Sequence, residues 1–139
     1  MDKKLVAVLY RKLIPGVALN AVAHMALGLS GLIARRGEIE SLRLDDYKDA
    51  SGNHHPSISD YPFIILKAGT GQIKNLAIFA KGQDIPCVHF LKTMTIGTYE
   101  QQKEETLKLK ENDIEFIGIC MFGNRKTINE LTKKLSLWK

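Results

Sequence analysis

Residues 4–36 read KLVAVLYRKLIPGVALNAVAHMALGLSGLIARR: a short apolar run, a basic turn, then a long run with no formally charged residue until Arg35. Residues 4–10 are too few for a helix. Their Leu, Val and Ala content suits a strand buried on both faces. Arg11 and Lys12 follow, then Pro15-Gly16. Proline suits a helix entry, and glycine lets backbone or ligand approach closely. The long run predicts a helix as far as Arg35 and Arg36, whose charges complement the C-terminal dipole, with Gly37 as its stop. Because that helix is apolar nearly all round, it is expected to be buried. Its exceptions share a face: Gly16, Asn20, His24 and Gly28 recur every four residues. That face has little apolar bulk and carries an amide and an imidazole.

Outward from this unit, residues 43–61 lose periodicity and show turn chemistry, with Ser51-Gly52-Asn53, Pro56 and, directly after, Pro62. Such a stretch is long for a loop and leaves room for a short hairpin. Residues 62–67 read as a second buried strand. Ile73, Leu76, Ala77 and Ala80 form a helical stripe over residues 72–83. Residues 85–91 are a third strand. Thr98 and Gln101 match a capping box for a polar helix over residues 99–110, with Glu104 and Lys108 spaced for a surface ion pair. Residues 114–122 are a fourth strand. Asn124 is the expected N-cap of a last helix, with Ile128, Leu131, Leu135 and Trp138 as its stripe. Strands alternating with helices argue for an α/β fold in three layers, helices on both sheet faces. Ligands in such sheets sit at the carboxyl ends of strands.

The 139 residues fit one domain and suffice for a real core. A hydrophobic share of 45% against 25% charged is that of a soluble globular protein. Asn20, His24 and the flanking arginines interrupt the first helix, so neither a membrane span nor an export signal is expected. Cys87 and Cys120 lie in apolar strands, which fits a reduced, cytoplasmic core role. The net charge of +5 is spread along the chain and permits an anionic partner without demanding one.

The segment PGVALNAVAHMALGL after the first strand, and IGICMFGNRKTINELTKKLSLW at the C-terminal end, resemble an uncharacterised bacterial family, the domain-of-unknown-function family numbered two thousand. That family is in turn similar to the type 2 peptidyl-tRNA hydrolases. The resemblance implies a three-layer α/β/α fold around a four-stranded mixed sheet. Those hydrolases carry a lysine and a glutamine in the first helix, the glutamine three residues before a histidine. Aligned on His24, these fall on Val17 and Ala21, and no Asp follows the third strand in LKTMTIGT. The resemblance therefore implies the fold and not that reaction. It also implies an antiparallel fourth strand, whereas an intervening helix favours a parallel crossover, so that direction stays open.

Several groups are candidates for chemistry. Arg11 and Lys12, beside the first N–H groups of a helix that contains Gly16, make an anion site or a solvated basic turn. Asn20 and His24 hold a ligand carbonyl, or His24 acts as a general base, or the two form a buried pair hydrogen-bonded to backbone. Lys92, Thr93, Thr95 and Tyr99 follow the third strand and line the same sheet end as Arg11 and Asn20 if strands one and three are parallel. The polar helix behind them would then be a cover. Arg125 and Lys126 sit against a helix dipole, which calls for an anionic partner or a neighbouring carboxylate. His54-His55 beside Asp45, Asp46 and Asp49 does not match a metal-ligand spacing, and no metal is expected. No GxxxxGK[ST] or GxGxxG motif occurs, and no cofactor is expected. The leading expectation is binding of a small anionic or polar ligand. Hydrolysis or transfer through His24, or binding of tRNA or other nucleic acid, are the alternatives. Self-association is left open.

Overall fold

The computed structural model describes residues 2–139. Strand β1 (Lys3–Tyr10) is followed by helix α1 (Pro15–Arg35), the strands β2 (Leu44–Lys48), β3 (His54–Ser59) and β4 (Phe63–Ala68), and helix α2 (Thr70–Gly82). Then come β5 (Cys87–Leu91), a 3-10 turn at Lys92–Thr95, α3 (Tyr99–Leu107), β6 (Phe116–Asn124), α4 (Arg125–Thr132) and β7 (Ser136–Leu137). In β1, Leu5, Ala7 and Leu9 belong to one core and Val6 and Val8 to another. Burial on both faces is why this strand is apolar without alternation. Each buried Leu or Val contributes about 1.5–3 kcal/mol, so these four, with Ala7 between them, anchor the sheet.

The sheet order is β5-β6-β1-β4-β7. Strands β1 and β4 are parallel, β6 runs antiparallel to both β1 and β5, and β7 is antiparallel to β4. The expected four-stranded mixed sheet therefore gains a fifth strand. Its source is the tail expected to continue the last helix. Helix α4 ends at Thr132, after which Leu137 pairs with Leu66, and Trp138 N donates to Ile65 O at 2.9 Å. The outer edge of β4 would otherwise present unpaired main-chain groups, and the tail covers it.

The fourth long strand, β6, is antiparallel. A parallel crossover needs a helix that packs on the sheet, and α3 buries no residue. It is an excursion between two hairpin-related strands. The other sheet faces are covered in the expected three layers: Ala18, Ala21, Met25, Leu29 and Ile33 of α1 pack on one, Ile73, Leu76 and Ala77 of α2 with Ile128 of α4 on the other. Both capping expectations hold. Gln101 Oε1 accepts from Thr98 N at 2.7 Å, and Asn124 Oδ1 accepts from Lys126 N at 2.9 Å. Lys108 pairs with Glu105 at 2.7 Å rather than with Glu104.

One feature differs from expectation in a way that matters for function. Helix α1 is not buried all round: Leu19 is 72% and Leu27 74% exposed, and the Asn20–His24 side is open. By length and apolar composition alone this helix meets the requirement for crossing a bilayer. Here one stripe of it lies in the core and the rest faces outward. Residues 44–59 do hold a hairpin, β2 against β3, with Asp49 Oδ1 closing its turn by accepting from Ser51 N and Asn53 N.

Candidate functional site

Strands β5 and β1 are both antiparallel to β6, so they are parallel to each other and their carboxyl ends share one side of the sheet. Beside β5, where the sheet ends, α1 and α3 stand apart. Between them lies a cleft of about 840 Å³. That is ample for a small molecule. Helix α1 supplies Asn20, His24, Met25 and Gly28; β5 supplies Val88, His89 and Phe90; Met94 closes one end. The opposite wall is α3, with Tyr99, Gln102, Lys103, Thr106 and Leu107.

The four-residue periodicity of α1 builds this wall. Asn20, His24 and Gly28 all border the cleft, while Met25 and Leu29, one position round, go into the core. The ring of His24 lies 6.4 Å from that of Phe90, tilted by 33°. Gly28 brings α1 against Val88 at the far end. The α3 wall is fixed by hydroxyl contacts: Thr93 Oγ1 meets Thr106 Oγ1 at 2.7 Å, and Thr106 also donates to Gln102 O at 2.7 Å. Lys103 Nζ sits 4.9 Å from the Tyr99 ring, a cation–π contact. It is the only Lys or Arg of the lining, which contains no Asp, Glu, Ser or Cys.

Other predicted residues lie elsewhere. Arg11 and Lys12 are exposed at the end of β1. Arg11 Nη2 donates to Gln72 Oε1 of α2 at 3.2 Å, and Gln72 Oε1 also accepts from Gly69 N at 2.9 Å. This ties the turn after β1 to the start of α2; Gly16 is exposed in the first turn of α1, and α1 and α2 lie on opposite faces above the adjacent parallel strands β1 and β4. Such a switch point is where doubly wound sheets bind ligands, yet neither Arg11 nor Lys12 lines the cleft. Lys92 points to Glu115, 3.7 Å away. Arg125 Nε lies 2.8 Å from Asp2 Oδ2, which supplies the carboxylate that its place against the helix dipole calls for. Arg125 and Lys126 border a separate polar hollow of about 540 Å³ with Asp2, Asn129 and Glu130. In the hairpin, His55 pairs with Asp49 at 3.0 Å and His54 lies 3.9 Å from Asp46. Among the described residues no three His, Cys, Asp or Glu side chains are grouped to hold a metal.

Sequence reasoning named Tyr99 and read the polar helix as a cover, but it missed the floor, Val88, Phe90 and Met94, and the rest of the far wall, Gln102, Lys103, Thr106 and Leu107. The available signal was α3 itself, a helix too polar to pack on the sheet and placed next to the open side of α1.

The fold and the cleft define a small α/β protein built around a mixed sheet, with a ligand-sized cavity at the sheet's edge. Residues 3–139 match the family model DUF2000, described as protein of unknown function, and the chain belongs to that family. Among solved structures it is similar to a protein of unknown function from Agrobacterium tumefaciens strain C58, with 21% identity over 99% of this chain and 98% of that one and a TM-score of 0.76. That likeness is one of fold. No curated protein matches.

Proposed function

We propose that this protein binds a small molecule with an apolar body and a polar or anionic end, held in the cleft between α1 and α3. One observation carries the reading. The two polar side chains of the Gly16–Gly28 face, Asn20 and His24, line the same cavity as Gln102 and Lys103, among largely apolar neighbours such as Val88, Phe90 and Met94. An apolar cleft with a few convergent polar groups is the common form of a ligand site. The site is displaced from the turn after β1 along the same helix, because Arg11 is engaged with Gln72.

Binding is favoured over turnover. A general base is normally oriented by a partner, and the lining gives His24 no carboxylate and no serine or cysteine nucleophile to serve. The antiparallel β6 supports a likeness in fold to the type 2 peptidyl-tRNA hydrolases. Val17 and Ala21 argue against their reaction. A single lysine in the lining favours a small ligand over nucleic acid. The two free thiols support a reducing, cytoplasmic setting.

The test is a thermal-shift screen of amphiphilic carboxylates and amides on wild type and on Gly28→Phe, whose ring would occupy the cleft. Ligands that raise the melting temperature of wild type should leave the folded variant unmoved. Equal shifts in both proteins would place the site elsewhere.

A further inference from the structure

The cleft has a main-chain wall as well as side chains. Among the described residues strand β5 pairs only with β6, so no strand covers its other edge. Along this ladder Phe122 N donates to Pro86 O at 3.1 Å, and Val88 stands opposite Cys120 and His89 opposite Ile119. Main-chain groups in an antiparallel pair alternate between facing the partner strand and facing away. The N–H and C=O of His89 therefore face away from β6. The His89 ring packs edge-on against Phe116, centroids 5.1 Å apart, with burial and the charge of Lys81 both acting on it. Lys81 belongs to α2, on the other side of the sheet. What His89 gives the cleft is thus a peptide group rather than an imidazole. The next outward N–H, that of Leu91, is closed by Met94 Sδ at 3.4 Å. Within the cleft stretch of β5, Val88 to Phe90, this leaves one outward donor–acceptor pair, in an otherwise apolar floor.

Charge supplies a second constraint. Lys103 has no carboxylate within ion-pair distance among the described residues, and the cleft lining holds no acid. An occupant with a carboxylate complements it. The β5 stretch in the cleft is three residues, about 10 Å at the usual strand rise.

We propose that the occupant is the carboxyl-terminal end of an extended peptide, some three residues long. One residue of the peptide bridges to His89 N–H and C=O as an added strand, an apolar side chain lies against Phe90 and Met94, and the terminal carboxylate meets Lys103. Main-chain pairing supplies affinity in this mode, and the groove supplies side-chain preference. The inference rests on the cleft being the ligand site and goes further in naming what fills it.

The probes are acetyl-Ala-X-X tripeptides (X = Leu, Val or Phe) with a free carboxylate, the same peptides as C-terminal amides, and versions N-methylated at both X residues. Binding is followed by the amide resonance and hydrogen exchange of His89 in the intact protein. A free-acid peptide should shift the His89 amide and slow its exchange. Amidation should weaken binding at least tenfold on wild type and not at all on Lys103→Ala, an exposed substitution that spares the fold. N-methylation should weaken it at least tenfold on both. N-methylated peptides that bind as tightly as their parents would overturn the proposal, and so would acid and amide forms of equal affinity on wild type. If all the peptides fail while a non-peptide carboxylate shifts Asn20, His24 and Lys103 amides, the peptide is overturned and the cleft stands. If nothing of either class shifts those amides, both are overturned.

Discussion

Gly28 of α1 lies against Val88 of β5 so that a β-carbon on the glycine would come 3.8 Å from Val88 Cγ1, an ordinary contact with nothing else within 4 Å. The glycine is thus not required by crowding, although it sits mid-helix, where glycine costs about 0.5–1 kcal/mol relative to alanine. Gly28→Ala should raise stability by about that amount in urea or thermal unfolding. A loss of stability would mean that α1 and β5 approach more closely than this geometry allows.

Gly118 of β6 gives the opposite result. A β-carbon there would meet Met25 Cε at 3.0 Å and Phe90 Cβ at 3.2 Å. The methionine end can move, but Phe90 Cβ is tied to its own main chain in β5. Gly118→Ala should cost about 1–3 kcal/mol, the range for overfilling a packed core. Since Met25 and Phe90 also line the cleft, its shape should change too, visible as altered amide shifts at residues 20–28.

Both cysteines should be inert in the folded protein. Burial pushes the Cys87 thiol up to about 12, and Cys120, buried deeper and next to Cys87, likewise to about 12. The thiolate is the reactive form. A thiol reagent at pH 8 should label neither within minutes and both rapidly in denaturant. Fast labelling of the native protein would contradict their placement.

Much of this fold was legible in the sequence, for identifiable reasons. The run from Lys4 to Arg36 gave β1 and α1 because a strand buried on both faces and a helix with a four-residue polar face leave distinct periods. The cap residues Thr98 and Asn124 were legible because their hydrogen bonds are local. The exposure of Leu19 and Leu27 was not, since it depends on what lies beside α1, and α3 buries nothing against it. Leu135 and Trp138 continue a helical stripe in sequence, and only the free edge of β4 explains why the chain turns to form β7. One wall of the cleft was readable from Asn20, His24 and Gly28. The rest comes from β5 and α3, more than 50 residues away in the chain, and no local pattern encodes that meeting.

Stability should show an acid-side loss that traces to His89. Burial, with the charge of Lys81 second, holds its imidazole below the ordinary 6.5. The unfolded chain then takes up a proton from about pH 6.5 downward, before the folded chain does. Stability from this residue is fully present above that pH and is lost as the pH falls from there through the lower folded value. Urea midpoints between pH 7.5 and 5 should fall less steeply for His89→Gln than for wild type. Parallel curves would assign the loss to other groups.

The central claim, that the cleft between α1 and α3 is the ligand site, is most directly tested by amide mapping of uniformly labelled protein against a fragment and metabolite set. Ligands that bind should perturb residues 20–28, 88–90 and 99–107 together, because those segments share one cavity. Perturbations confined to residues 11–16 and 69–72, or to residues 124–130, would contradict it.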